Sequence, residues 1–211
     1  MTMSTTTPRL AIPSVQTILN LMIGGLVGLL IWEVWARVLT KAVLGYPLEP
    51  AGLIDAIFNH QFGLMVPWLL REALHYAIGI IGYPVFYYIV SRYLKNWSMT
   101  LDALVFATFT AGVLYYWSKG QATTWHFIFW IIVTVFIATR FINKNVLLRD
   151  SIVWGTFTWL NALGIMAPIG GLSFYLLGEG GQLSFMSFAG HVIYGAIAVW
   201  IFEMREKKAG A

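Results

Sequence analysis

Six polar residues in a largely apolar chain have types and spacings that could do chemistry: Glu33, Arg37, Glu72, His75, Asn161 and His191. Glu33 precedes Arg37 by four residues, the favourable order for an ion pair on one helical face. Two readings fit that pair. It can sit at a membrane interface, snorkelling and satisfying itself, or it can belong to a site, since an ionisable group inside a membrane is costly and functional by default. His75 and His191 each open a His-x-x-x-Gly, with Gly79 and Gly195 one turn further on. A glycine there frees space on the histidine's face for a neighbouring helix or for a ligand ring. The two imidazoles could be axial ligands of a haem b, or each could donate a helix–helix hydrogen bond. Counting back from Lys95 and Arg205 puts His191 about six residues, roughly 9 Å, deeper than His75, which argues against a shared iron. The histidines show no HExxH or similarly tight spacing for zinc or copper. Asn161 precedes Met166-Ala-Pro-Ile-Gly-Gly171, a helix interruption that could line a transport path or merely end a helix.

Other chemistry is missing from the pattern. The chain has no cysteine, so thiolate metal sites, disulfides and cysteine nucleophiles are excluded. It carries no phosphate loop, dinucleotide fingerprint or hydrolase elbow. The net charge of +4 comes from short cationic groups at helix ends and not from a basic stripe, so nucleic acid is not an expected partner. No resident cofactor is expected, with haem b as the alternative. The lipid bilayer is the expected partner, with other membrane-protein subunits possible in a larger complex.

The elements that must position these residues follow from composition. Hydrophobic residues make up 59% of the 211 and charged residues 10%, and mean hydropathy is +0.74. A soluble domain averages about 25% charged. The chain therefore reads as an all-α polytopic membrane protein, a six-helix bundle. Spans of about 20 apolar residues are expected at Val15 to Trp35, Ala73 to Tyr93, Leu101 to Trp117, Thr124 to Ile142, Ile152 to Leu177 and Leu183 to Glu203. Backbone groups in lipid must be satisfied within each segment, so these are helices and not strands. Residues 1–14 and 205–211 are expected as tails. With the N-terminus inside, nine cations (Arg9, Arg92, Lys95, Arg140, Lys144, Arg149, Arg205, Lys207, Lys208) fall inside and four (Arg37, Lys41, Arg71, Lys119) outside. That bias puts both termini in the cytoplasm. Trp97, Trp117, Trp125 and Trp154 fall at span ends, as an aromatic belt would.

Between the first two spans, prolines 47 and 50 reset the chain, and Ala51 to Phe58 reads as a short amphipathic helix on the outer interface with Asp55 exposed. It is either a connector or a lid over a membrane cavity. Gly24 and Gly28 give a GxxxG spacing that permits close helix approach.

Phe188-Ala-Gly-His-Val-Ile-Tyr-Gly195 through Trp200-Ile-Phe-Glu-Met-Arg205, and Leu74-His-Tyr-Ala-Ile-Gly-Ile-Ile-Gly-Tyr83, resemble the terminal and an internal span of YagU-like bacterial inner-membrane proteins. The resemblance covers about half the chain, and Pro47-Leu-Glu-Pro50 stands where that family has Pro-Pro-Arg. It implies a bacterial inner membrane and no reaction. The expected function is non-enzymatic, an accessory or structural subunit. The alternatives are a haem b electron-transfer protein with His75 and His191 as ligands, and a small transporter or channel. Glu33, Arg37, Glu72, His75, Asn161 and His191 should face one another across the first, second, fifth and sixth spans, because each would be costly against lipid.

Overall fold

The computed structural model describes residues 13–209, so the expected inner cation Arg9 and residues 210–211 lie outside the described part. Among the described residues all regular structure is helical. The long helices are α1 (Val15–Leu44), α3 (Trp68–Tyr93), α4 (Trp97–Ser118), α5 (Thr124–Ile142), α6 (Val146–Ile169) and α7 (Gly181–Ala209), each long and apolar enough to cross a membrane. The short α2 (Gly52–Phe62) lies between α1 and α3. The chain is an integral membrane protein with an all-α, six-helix transmembrane fold. Local capping explains several starts. Ser14 accepts from the Thr17 N–H at 3.0 Å, and Asn145 accepts from Leu148 N–H at 3.1 Å. Thr123 and His126 cap α5 reciprocally, which assigns His126 a structural role.

Several spans differ from their expected limits. α1 continues past Trp35 to Leu44, where Gly45 takes the left-handed conformation (φ 85°) that ends a helix without a Cβ penalty. α6 stops at Ile169 instead of Leu177, because Pro168 interrupts the hydrogen-bond ladder and Gly171 turns the chain at φ 75°. The chain then makes a tight turn at Phe174–Leu176, where Tyr175 and Leu176 hold φ of 53° and 56°. That strained backbone is clamped by packing: the Tyr175 ring lies 4.1 Å from Trp159 and 4.8 Å from Phe109. α7 overruns Glu203 because its charged turn is part of the bundle. Arg92 bonds Glu203 at 3.0 Å, Arg205 Nε donates to Asn20 at 2.9 Å, and Glu206 accepts from Asn20 at 2.6 Å and from Thr17 at 3.1 Å. Both ends of the described chain therefore meet at one end of the bundle. Trp154 is a core residue and not part of a belt. α6 starts at Val146, so this ring falls two turns inside and packs on Tyr87 at 5.3 Å.

α7 is the hub, packed between α1 and α6. Each contact is set by glycine. A Cβ on Gly24 would sit 2.5 Å from the Ala198 carbonyl oxygen, and one on Gly28 would sit 3.0 Å from that of Tyr194. The small residues of α1 thus admit the α7 backbone. Gly28→Leu should cost about 1–3 kcal/mol by overpacking. An unshifted melting temperature in detergent would mean that this face is not in contact.

Three π-helical turns widen the helices away from the termini: Val34–Leu39 in α1, Ile78–Gly82 in α3 and Leu160–Met166 in α6. Two of them directly precede prolines, Pro84 and Pro168, whose missing N–H leaves a carbonyl one turn back without its usual donor. Side chains exploit the loosened backbone. The Tyr194 hydroxyl donates to the Gly79 carbonyl at 2.7 Å, and Thr40 donates to that of Trp35 at 2.9 Å.

Candidate functional site

Glu33, Arg37, Glu72 and His75 form one connected network. Arg37 Nε donates to Glu33 Oε2 at 2.5 Å and its Nη2 donates to Glu72 Oε2 at 2.7 Å. His75 Nε2 lies 2.7 Å from the other Glu33 oxygen. The carboxylates are 11% and 13% exposed and the guanidinium 37%, so the arginine is at the rim with the acids beneath it. This joins the two sequence readings: the helical Glu33–Arg37 pair exists, and it is extended across to α3. The guanidinium bridges the two acids. Among the described residues no group of three or more His, Asp or Glu is placed to hold a metal ion.

His75 also lines a cavity of about 300 Å³. α1 contributes Leu29 and Trp32, α3 contributes His75, Gly79 and Tyr83, α6 contributes Leu163 and Met166, and α7 contributes Ser187, His191 and Tyr194. Half of these ten residues carry a hydroxyl or an imidazole, on a wall whose surface is mostly apolar. The π turns of α3 and α6 both contribute wall, as such turns often do at sites.

The expected depth mismatch between the histidines is absent. Tyr194 reaches Gly79 and Tyr87 reaches Glu203, pairs separated by 115 and 116 positions, and His75 and His191 are offset by the same 116. They share one level, flanking α1 at neighbouring residues: Glu33 bonds His75, and the Trp32 ring lies 4.5 Å from His191. Counting from Lys95 and Arg205 misled because Lys95 lies in a turn beyond α3, whereas Arg205 lies within α7, bonded to Asn20. The shared level removes one objection to a haem, and the Glu33 bond to His75 Nε2 leaves only Nδ1 of that ring for an iron.

The glycines of the two His-x-x-x-Gly motifs serve packing. A Cβ on Gly79 would meet Leu29 at 2.8 Å, and Gly195 meets the backbone of Gly155. Asn161 is not drawn into the cluster; it is half-buried in the α6 π turn, makes no side-chain hydrogen bond and lies off the cavity wall. His60 packs over Gly171.

Residues of the segment from Tyr46 to Ile54 line the cavity, so the stretch between α1 and α3 forms part of its wall as well as connecting the helices. It is tied down by the Leu48 N–H bond to the Ala36 carbonyl at 2.9 Å. α2 is fixed by Gln61, which donates to the Ile169 carbonyl at 2.6 Å. Asp55 is not exposed as expected. It accepts from the Val66 N–H at 2.8 Å and faces Arg71 at 3.5 Å, pinning the turn into α3.

Sequence reasoning missed the polar groups of the cavity other than histidine: Tyr46, Glu49, Tyr83, Ser187 and Tyr194. Ser187 was recoverable, since it lies one turn before His191. It also missed Asp102, which pairs with Arg140 at 2.5 Å between α4 and α5, two helices outside the expected polar cluster. No family model matches the chain, and neither the curated proteins nor the solved structures contain a match.

Proposed function

We propose that the protein is a non-enzymatic component of a bacterial inner membrane that holds an amphiphilic molecule in the cavity between α1, α3, α6 and α7. One observation carries this reading. Two imidazoles from distant parts of the chain line one apolar cavity with a ring nitrogen of each left without a hydrogen-bond partner among the described residues. A concave, mostly apolar space with a few convergent polar groups is the usual form of a small-molecule site. The accessory role follows from the absence of any catalytic spacing in the sequence, and the bacterial setting from the YagU-like resemblance.

Leu163→Trp should fill the cavity without touching the ion network. Mass spectrometry of organic extracts should find an amphiphile with the native protein and much less with the variant, at equal thermal stability. Equal amounts from both would remove the cavity from consideration. A Soret band in the purified protein would replace this reading with the bis-histidine haem.

Both termini are assigned to the cytoplasm. Because the chain has no cysteine, single Asn59→Cys and Lys208→Cys variants can be labelled without background; both positions are exposed. In intact cells a membrane-impermeant thiol reagent should reach position 59 and not 208, and the reverse pattern would invert the topology.

A further inference from the structure

Resting on that reading of the cavity, we propose that it selects a dihydroxy-aromatic head, the reduced quinol form of an isoprenoid quinone, over the oxidised quinone. The placement of hydrogens on the two imidazoles decides this. His191 Nδ1 lies 2.8 Å from the Ser187 carbonyl oxygen. A carbonyl oxygen only accepts, so Nδ1 carries the hydrogen and Nε2 of the neutral ring is left as an acceptor. His75 Nε2 lies 2.7 Å from Glu33 Oε1, an oxygen of the carboxylate that Arg37 also engages. A carboxylate oxygen likewise only accepts, so Nε2 donates, and with the ring neutral Nδ1 is left as an acceptor. Neither of these acceptor nitrogens has a hydrogen-bond partner among the described residues, and both rings line the one cavity.

A matched occupant brings two hydrogen-bond donors. A quinol offers two O–H groups on opposite sides of a single ring. Its quinone offers two carbonyls, which would set lone pair against lone pair and leave the nitrogens unsatisfied. The Tyr83 hydroxyl, free of any partner among the described residues, can donate or accept and so does not discriminate.

The walls fit the same molecule. Trp32, Tyr83 and Tyr194 offer aromatic faces to a ring, and Leu29, Leu163 and Met166 suit an isoprenoid tail. Sugars and polyols are disfavoured because most of the wall is apolar, although Glu49 and Ser187 also line it. At about 300 Å³ the cavity holds a ring head and the start of a tail. Tyr46 and Leu172, both exposed at its rim, mark where the tail would leave.

The test uses the full-length protein in detergent under anaerobic conditions. The probes are a decyl-substituted benzohydroquinone, the corresponding quinone and the dimethyl ether of the hydroquinone. Tryptophan quenching and the shift in melting temperature report binding. The hydroquinone should bind about tenfold more tightly than either of the others, the scale of one or two net hydrogen bonds. His191→Phe keeps a ring against Trp32 while removing one acceptor; it should bring hydroquinone affinity down toward that of the quinone and leave quinone affinity no lower. If that variant does not fold, the ether comparison on the native protein decides alone. Quinone or ether binding as tightly as hydroquinone would overturn the selectivity and leave the cavity as a general amphiphile site. No binding of any probe, with no amphiphile in the extracts, would overturn both readings.

Discussion

Gly155→Leu should yield little or no monodisperse protein. A Cβ at Gly155 would lie 2.6 Å from the Val192 Cα and 2.7 Å from the His191 carbonyl oxygen. Both atoms are backbone, so no rotamer change relieves the clash, and Gly195 faces Gly155 from the other side of the crossing. Even Gly155→Ala should cost about 1–3 kcal/mol, the usual range for overpacking a close contact. Leucine adds a branched side chain that must force α6 and α7 apart. Because α7 also carries the α1 contact, the displacement would reach both halves of the bundle and move His191. Gly82→Ala is the control, since the nearest atoms to its new Cβ are 3.9 Å away. Size-exclusion profiles and melting temperatures in one detergent would compare the three. A Gly155→Leu protein that elutes and melts like the native chain would show that the two helices do not cross as closely as described.

What the chain declares in advance follows the range of the forces involved. Spans are written locally, as runs of apolar residues, and all six could be read. Their ends were less legible, because they depend on partners elsewhere. α7 overruns Glu203 since Asn20 and Arg92 receive its charges, and α6 ends early because Pro168 and Gly171 act together with the packing of Tyr175. In the candidate site, Glu33–Arg37 was visible as an i, i+4 spacing, and Glu72 and His75 lie within one turn of each other. That they meet α1 at Glu33 and Arg37 is a matter of helix register, which no local pattern encodes. The same register cancels the depth offset that counting assigned to the histidines. Asn161 looked equivalent to the others on composition alone, but the π turn of α6 places it off the cavity wall. The Asp102–Arg140 pair joins residues separated by 38 positions on two separate spans; Arg140 was legible only as an inner cation, and Asp102 has no signal of its own.

Arg37→Leu should destabilise the protein strongly, and Glu72→Gln should partly repair it. In the native chain one guanidinium bonds two carboxylates, at 2.5 Å and 2.7 Å, which brings like charges close together. Both carboxylates are largely buried, so removing the arginine leaves two negative groups with poor access to water. Breaking a buried pair by deleting one partner costs about 3–5 kcal/mol; Arg37 is itself 37% exposed, so about 2–3 kcal/mol is expected after solvent screening. Glu33 retains His75 as a partner, whereas Glu72 has no other hydrogen-bond or ion-pair partner among the described residues. Neutralising Glu72 in the Arg37→Leu background therefore removes the worst uncompensated charge. The double variant should be more stable than Arg37→Leu alone, although Glu72→Gln in the native background should be destabilising. That sign reversal separates a coupled charge network from two independent packing effects, because independent sites add. Unfolding of all four proteins in bicelles gives the cycle. If Glu72→Gln lowers stability by the same amount in both backgrounds, Arg37 and Glu72 do not act on one another and the network is a set of separate surface contacts.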